Sequence, residues 1–143
     1  MKLFYRLFLL VLAFVVTFTI PAFAESTYIN ADTVKAMLEL TFSAIDCDYD
    51  IDGNSSGYVI QYSSEDYSYM YLMSQLFGND DTDKVMDEVA KGTAELCSSL
   101  RDNIASFGIP APNITLILTD YSEKDYIFLI VYNGQIVYDI LAD

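Results

Sequence analysis

The sequence predicts an α+β fold: a single domain whose mainly antiparallel sheet, a hairpin plus a three-stranded meander, carries a long helix across one face. Three observations predict it. The stretch from Asp81 to Phe107 places Met86, Val89, Thr93, Leu96 or Cys97, Leu100, Ile104 and Phe107 on one helical stripe. Residues 47–62 alternate with period two around a polar "GNSS". Three apolar runs then close the chain, "NITLILT", "YIFLIVY" and "QIVYDIL". They are separated by "DYSEKD" and by Asn133-Gly134, the strongest short hairpin signal.

The first 24 residues read as an export signal: Lys2 and Arg6 precede an apolar run from Leu7 to Ile20, and Ala22-Phe23-Ala24 fits a small-x-small cleavage site. The run has 14 residues, short of the roughly 18 that span a bilayer, so cleavage after Ala24 and no stable membrane insertion are expected. Residues 25–143 then form one α+β domain in a secreted or cell-envelope setting.

Within that domain, Asn30 reads as an N-cap for a helix over about residues 31–45, with Val34, Met37, Leu38, Thr41 and Ile45 on its apolar stripe. Next comes "IDCDYDIDGN", an aspartate at every second position closing on glycine. With "GNSS" as a four-residue loop, Asp52 pairs with Gly57, Ile51 with Tyr58, Tyr49 with Ile60 and Cys47 with Tyr62. One face collects Cys47, Tyr49, Ile51, Tyr58, Ile60 and Tyr62, and the other collects the aspartates. "SSEDYSYMYLMSQLFGN" reads as a short helix capped by serine and ended by Gly78, its apolar residues running nearly all round and so implying burial on more than one side. The long helix ends at "FGIP", with Gly108 left-handed. In the meander, Ile114, Leu116, Leu118, Ile127, Leu129, Val131, Ile136, Tyr138 and Ile140 form a core face. Thr115, Ile117, Thr119, Tyr126, Phe128, Ile130, Tyr132, Val137 and Asp139 form the other.

Composition narrows the chemistry. Without the signal, 5 basic residues stand against 21 acidic ones, a net charge of −16. That field repels nucleic acid and anionic lipid and favours a cationic protein or peptide partner. The chain has no histidine, which removes His-based acid/base chemistry, most zinc sites and Ser-His-Asp triads. No cofactor is expected. Asp48, Asp50, Asp52 and Gly53 match the start of a calcium loop, but its twelfth position is Val59, where the bidentate carboxylate belongs. The hairpin explains those residues better, and a weak calcium site at Asp48, Asp50 and Asp52 is the alternative.

Two function classes follow. The leading one is an exported, non-catalytic binding protein of unknown ligand, with Tyr126, Tyr132 and Phe128 as the ligand-binding candidates because tyrosines bury area while keeping a polar tip. The competing arrangement has the aromatic helix of residues 65–77 covering that face. The second class is a carboxylate-based, glycosidase-like hydrolase, for which Asp139 alone sits in an apolar run. A polar cleft with two carboxylates would point to the enzyme, and a flat tyrosine patch beside acid to binding.

The last third, with a glycine-ended helix before "NITLILTD" and "LIVYNGQIVYDIL", resembles small uncharacterised exported proteins and lipoproteins of Gram-positive bacteria. Leu129, Asn133, Gly134, Val137, Tyr138 and Asp139 carry the resemblance, which implies export and this strand arrangement. The chain departs from the lipoproteins in having no cysteine near the cleavage site to carry a lipid.

Cys47 and Cys97 are expected to form a disulfide, since the first falls on the apolar side of the hairpin and the second on the stripe by which the long helix meets the sheet.

Overall fold

The computed structural model describes residues 31–142 except positions 55, 79 and 109. The expected signal segment, its cleavage site and the Asn30 cap fall outside the described residues. The elements in chain order are α1 (Ala31–Ser43), β1 (Asp48–Asn54), β2 (Gly57–Ser63), α2 (Glu65–Phe77), α3 (Asp80–Ser106), β3 (Asn113–Thr119), β4 (Ile127–Tyr132) and β5 (Gln135–Asp139). The strands form one five-stranded sheet in the order β1-β2-β3-β4-β5. It is antiparallel apart from its central pair, β2 and β3, which run parallel with α2 and α3 as their crossover. This is the predicted α+β architecture, with the strand order now fixed.

α1 buries Val34, Leu38 and Phe42, an i, i+4, i+8 stripe, and stops two residues before the predicted end. Phe42 replaces Ile45 as its last anchor, packing on Tyr62 with ring centroids 5.6 Å apart and on Tyr49 at 6.0 Å. The hairpin register is shifted by two from the expected one: Asp52 faces Val59, Ile51 faces Ile60, Tyr49 faces Tyr62, and Asn54 faces Gly57 across a two-residue connection. An even shift leaves every side chain on its predicted face. Ile51, Tyr58, Ile60 and Tyr62 are accordingly buried, with Asp48, Asp50 and Asp52 exposed. Gly53, read from sequence as the sixth position of a calcium loop, is needed for the hairpin instead. Its φ is +146°, and a Cβ there would overlap the Gly57 carbonyl oxygen and come within 2.7 Å of Tyr58 Cα.

β3 and β4 are likewise two residues out of the expected register, Leu116 facing Val131 and Leu118 facing Leu129. A bulge follows. Thr119 faces Ile127, leaving Phe128 without a partner, and the consecutive residues Phe128 and Leu129 are both buried, which a regular strand would not allow. A second bulge corrects the predicted faces of β5. Val131 faces Ile136 but Ile130 faces Tyr138 and Leu129 faces Asp139, so Tyr138 changes face with Asp139. The turn between β4 and β5 is the predicted Asn133-Gly134, both residues at positive φ. Gly108, past the end of α3, is left-handed as expected.

All three helices share one face of the sheet. α3 lies across β3, β4 and β5 and buries Met86, Ala90, Thr93, Leu96, Cys97, Leu100 and Ile104. Its Thr93 hydroxyl lies 3.0 Å from that of Tyr62 on β2. The sheet answers with the aligned row Ile51, Ile60, Leu116 and Val131, each buried. Side chains of this kind contribute about 1.5–3 kcal/mol apiece when withdrawn from water. α2 is capped as predicted, Ser64 Oγ accepting the Tyr67 N–H at 3.4 Å and left-handed Gly78 donating to the Ser74 carbonyl at 2.8 Å. Its burial, however, is one-sided. Tyr67, Met70 and Ser74 face the core, while Tyr69, Leu72, Leu76 and Phe77 are exposed, so burial on more than one side does not occur among the described residues.

The expected disulfide is absent; both cysteines are free. Cys97 Sγ donates to the carbonyl of Ile114 at 3.4 Å, level with Tyr58, whereas Cys47 lines a cavity with Tyr62, which is level with Leu118. Four residues of strand separate those levels, roughly 13 Å, and a disulfide requires Cα atoms within about 7 Å. The helix stripe and the hairpin face do meet, but at different heights along the sheet.

Candidate functional site: the open face of the sheet

The parallel pairing of β2 and β3 joins the aspartate face of the hairpin to the tyrosine face of the meander. One rung runs Asp50, Gln61, Ile117, Ile130, Tyr138 across all five strands. The next runs Asp52, Val59, Thr115, Tyr132, Gln135. These residues point away from the helices. Val59 is 44% exposed and Tyr132 43%, with Gln61, Thr115, Ile117, Ile130 and Tyr138 half-buried by one another. The result is an apolar and tyrosine-bearing surface with a column of carboxylates along its β1 edge. At one end the loop after β3 folds over it: Gln61 Nε2 donates to the Lys124 carbonyl at 2.9 Å, and Ser63 and Thr119 beneath are buried. That loop is held by Asp120, whose carboxylate accepts the N–H groups of Ser122 and Glu123 at 2.8 Å each.

The three aromatic candidates are separated by the fold. Tyr132 stays on the open face. Phe128 is turned by the bulge into the core beneath α2, its ring centroid 4.8 Å from that of Tyr71 and 5.2 Å from that of Tyr67. Tyr126 packs against Phe128 edge-on at 5.5 Å, with its hydroxyl 3.1 Å from that of Tyr71. That bond, followed by burial, pushes the Tyr71 phenol up to about 12. The aromatic helix therefore covers Phe128 and packs against Tyr126, which stays 42% exposed, but leaves Tyr132. Sequence reading missed Val59, Gln61 and Tyr138 as members of the surface. The first two needed the strand order, and Tyr138 needed the β5 bulge.

The metal alternative looks different on the strand. Asp48, Asp50 and Asp52 are exposed at alternate positions of β1, about 7 Å apart in steps along the chain, rather than wrapped around a point. Asp139 acts as a cap, accepting the Leu141 N–H at 3.0 Å.

Beneath α1 a cavity of about 20 Å³, lined by Phe42, Cys47, Tyr62, Tyr67 and Leu118 among others, holds room for a single water. Burial, reinforced by Asp46 and Asp48, pushes the Cys47 thiol up to about 12. It therefore stays protonated and lacks the thiolate that nucleophilic chemistry requires. Among the described residues no helix is long and apolar enough to cross a membrane. Compared with protein-family models, curated proteins and solved structures, the chain matches none.

Proposed function

We propose that the protein is an exported, non-catalytic binding module whose open sheet face takes a cationic protein or peptide. One observation carries this reading: the rungs that end in Asp50 and Asp52 continue into Val59, Ile117, Ile130, Tyr132 and Tyr138 on one face of the sheet. The apolar side chains supply area to bury. Tyr132 and Tyr138 supply ring faces over which a guanidinium can stack, and the aspartate column offers carboxylates to Lys or Arg at the rim. A formal net charge of −14 for the whole chain steers cations toward it. Export rests on the signal pattern of residues 1–24.

The test is an NMR titration with a short Arg- and Tyr-containing peptide. Amide shifts are expected at Val59, Ile117, Ile130 and Tyr132, with binding weakened by Tyr132→Ala or Asp52→Ala. It should also weaken as salt rises toward about 0.5 M, where the Debye length is roughly 4 Å. Shifts confined to the acidic outer surface of α3, or indifference to both substitutions, would reject the face.

A further inference from the structure

α2 carries two apolar stripes, and the fold uses one. Tyr67, Met70, Tyr71 and Ser74 follow the i, i+3, i+4, i+7 spacing of a helix face and meet the core. Tyr69, Leu72, Met73 and Leu76 repeat that spacing two residues later on the outer side. There Tyr69 is 61% exposed, Leu72 53%, Leu76 64% and the adjoining Phe77 70%. Single exposed apolar residues are ordinary, but a contiguous ridge at helical spacing marks an interaction surface.

The geometry points to this ridge as the docking site for an amphipathic cationic helix on a partner protein, a surface separate from the open sheet face. Charge decides among the occupants. Glu65 and Asp66 stand exposed at the start of α2, Asp80 and Asp81 stand exposed just past Phe77, and α2 has no basic residue. A second copy packed antiparallel on the ridge would bring the acids at one end against those at the other. An anionic membrane would be repelled by the same acids. A helix with an apolar stripe between lysines or arginines satisfies both features: its stripe packs ridge into groove on Leu72 and Leu76, and its flanking cations meet acid at both ends.

The probe is a 21-residue peptide with leucine at heptad positions a and d and lysine elsewhere, tested by calorimetry against the intact protein. Saturable one-to-one binding is expected. The pair Leu72→Ser and Leu76→Ser should weaken it about tenfold or more, while Leu40→Ser, which removes a still more exposed leucine from α1, should leave it unchanged. A glutamate version of the peptide should not bind, and a scrambled lysine version without the stripe should bind only through charge, at least about tenfold more weakly and indifferently to the double substitution. Both substituted residues are exposed, so an unchanged circular dichroism melt will show that the variant remains folded. Equal binding of the scrambled peptide, or undiminished binding by the double variant, would overturn the proposal. A dimer of the protein alone that the double variant abolishes would assign the ridge to a second copy, and binding to phosphatidylcholine vesicles lost in that variant would assign it to lipid. Either result would likewise overturn the cationic helix.

Discussion

The backbone N–H of Gly134 donates to the sulfur of Cys97 at 3.2 Å, fastening the turn between β4 and β5 to the middle of α3. The turn is gripped from β3 as well, because the Asn133 N–H and the Cys97 thiol share the carbonyl of Ile114 as acceptor, at 2.8 and 3.4 Å. Cys97→Ala removes a buried group and takes away the acceptor of the Gly134 N–H, so a loss of about 1–3 kcal/mol is expected from urea denaturation. Gly134→Ala should cost at least as much, since φ is +86° and the new Cβ would overlap the Ser98 hydroxyl. Adding Ser98→Ala should recover part of that loss, and strict additivity of the two changes would show that they do not meet.

With both thiols engaged separately, the melting temperature should be the same with and without reductant. Thiol titration of the unfolded, unreduced protein should give two groups per chain. A drop in melting temperature on reduction would require the two cysteines to approach each other.

Gly53 and Asp50 offer a direct contrast between hairpin and calcium loop. Gly53→Ala forces a Cβ against the backbone of Gly57 and Tyr58 and should destabilise by at least about 2 kcal/mol. Asp50→Ala, at an exposed position, should stay within about 0.5 kcal/mol. Millimolar calcium should leave the urea midpoint unmoved; a rise abolished by Asp50→Ala would restore the metal reading.

Asp120 sets a pH dependence. Partial burial would raise its carboxyl, but the Glu123 N–H, the Ser68 hydroxyl and the Ser122 N–H outweigh that and hold it below the ordinary 3.8. A carboxylate favoured in the folded state stabilises above its unfolded value, and that contribution disappears as pH falls through the folded one. Urea midpoints should therefore decline between roughly pH 5 and 2, and Asp120→Asn should flatten part of the decline. An identical slope in that variant would remove Asp120 from the titration.

Local pattern revealed what local physics controls. The caps at Ser64 and Gly78, the Asn133-Gly134 turn and the faces of β1 to β4 up to the bulge were legible because turn chemistry and period-two alternation leave marks on the residues themselves. The β1–β2 and β3–β4 registers differ from the expected ones by two residues, a shift alternation cannot detect because it preserves the faces. Phe128 was assigned to the outer surface because a bulge, which re-aims one side chain, has no sequence signature in a run as uniform as "YIFLIVY". The candidate surface is half legible in the sequence: Tyr132 and the aspartates stand out, Tyr138 does not because the β5 bulge turns it, and only the long-range pairing of Gln61 with Ile117 brings the two halves together. The cysteines show the same limit, since faces that touch say nothing about height.

The parallel pairing of β2 with β3 also governs when the domain can form. Each hairpin is local, but the sheet's centre waits for strands separated by roughly fifty residues of crossover, a closure that local contacts cannot reward in advance. During synthesis, Tyr58, Ile60 and Tyr62 have no neighbour on their inner edge until the residues as far as Thr119 have been made. A chain halted inside α3 would hold β1 and β2 as a two-stranded ribbon backed by α1 through Phe42, without the central strand that completes the sheet. Completion of the sheet is thereby deferred until β3 has been made, so the two halves of this domain assemble together by virtue of its topology alone.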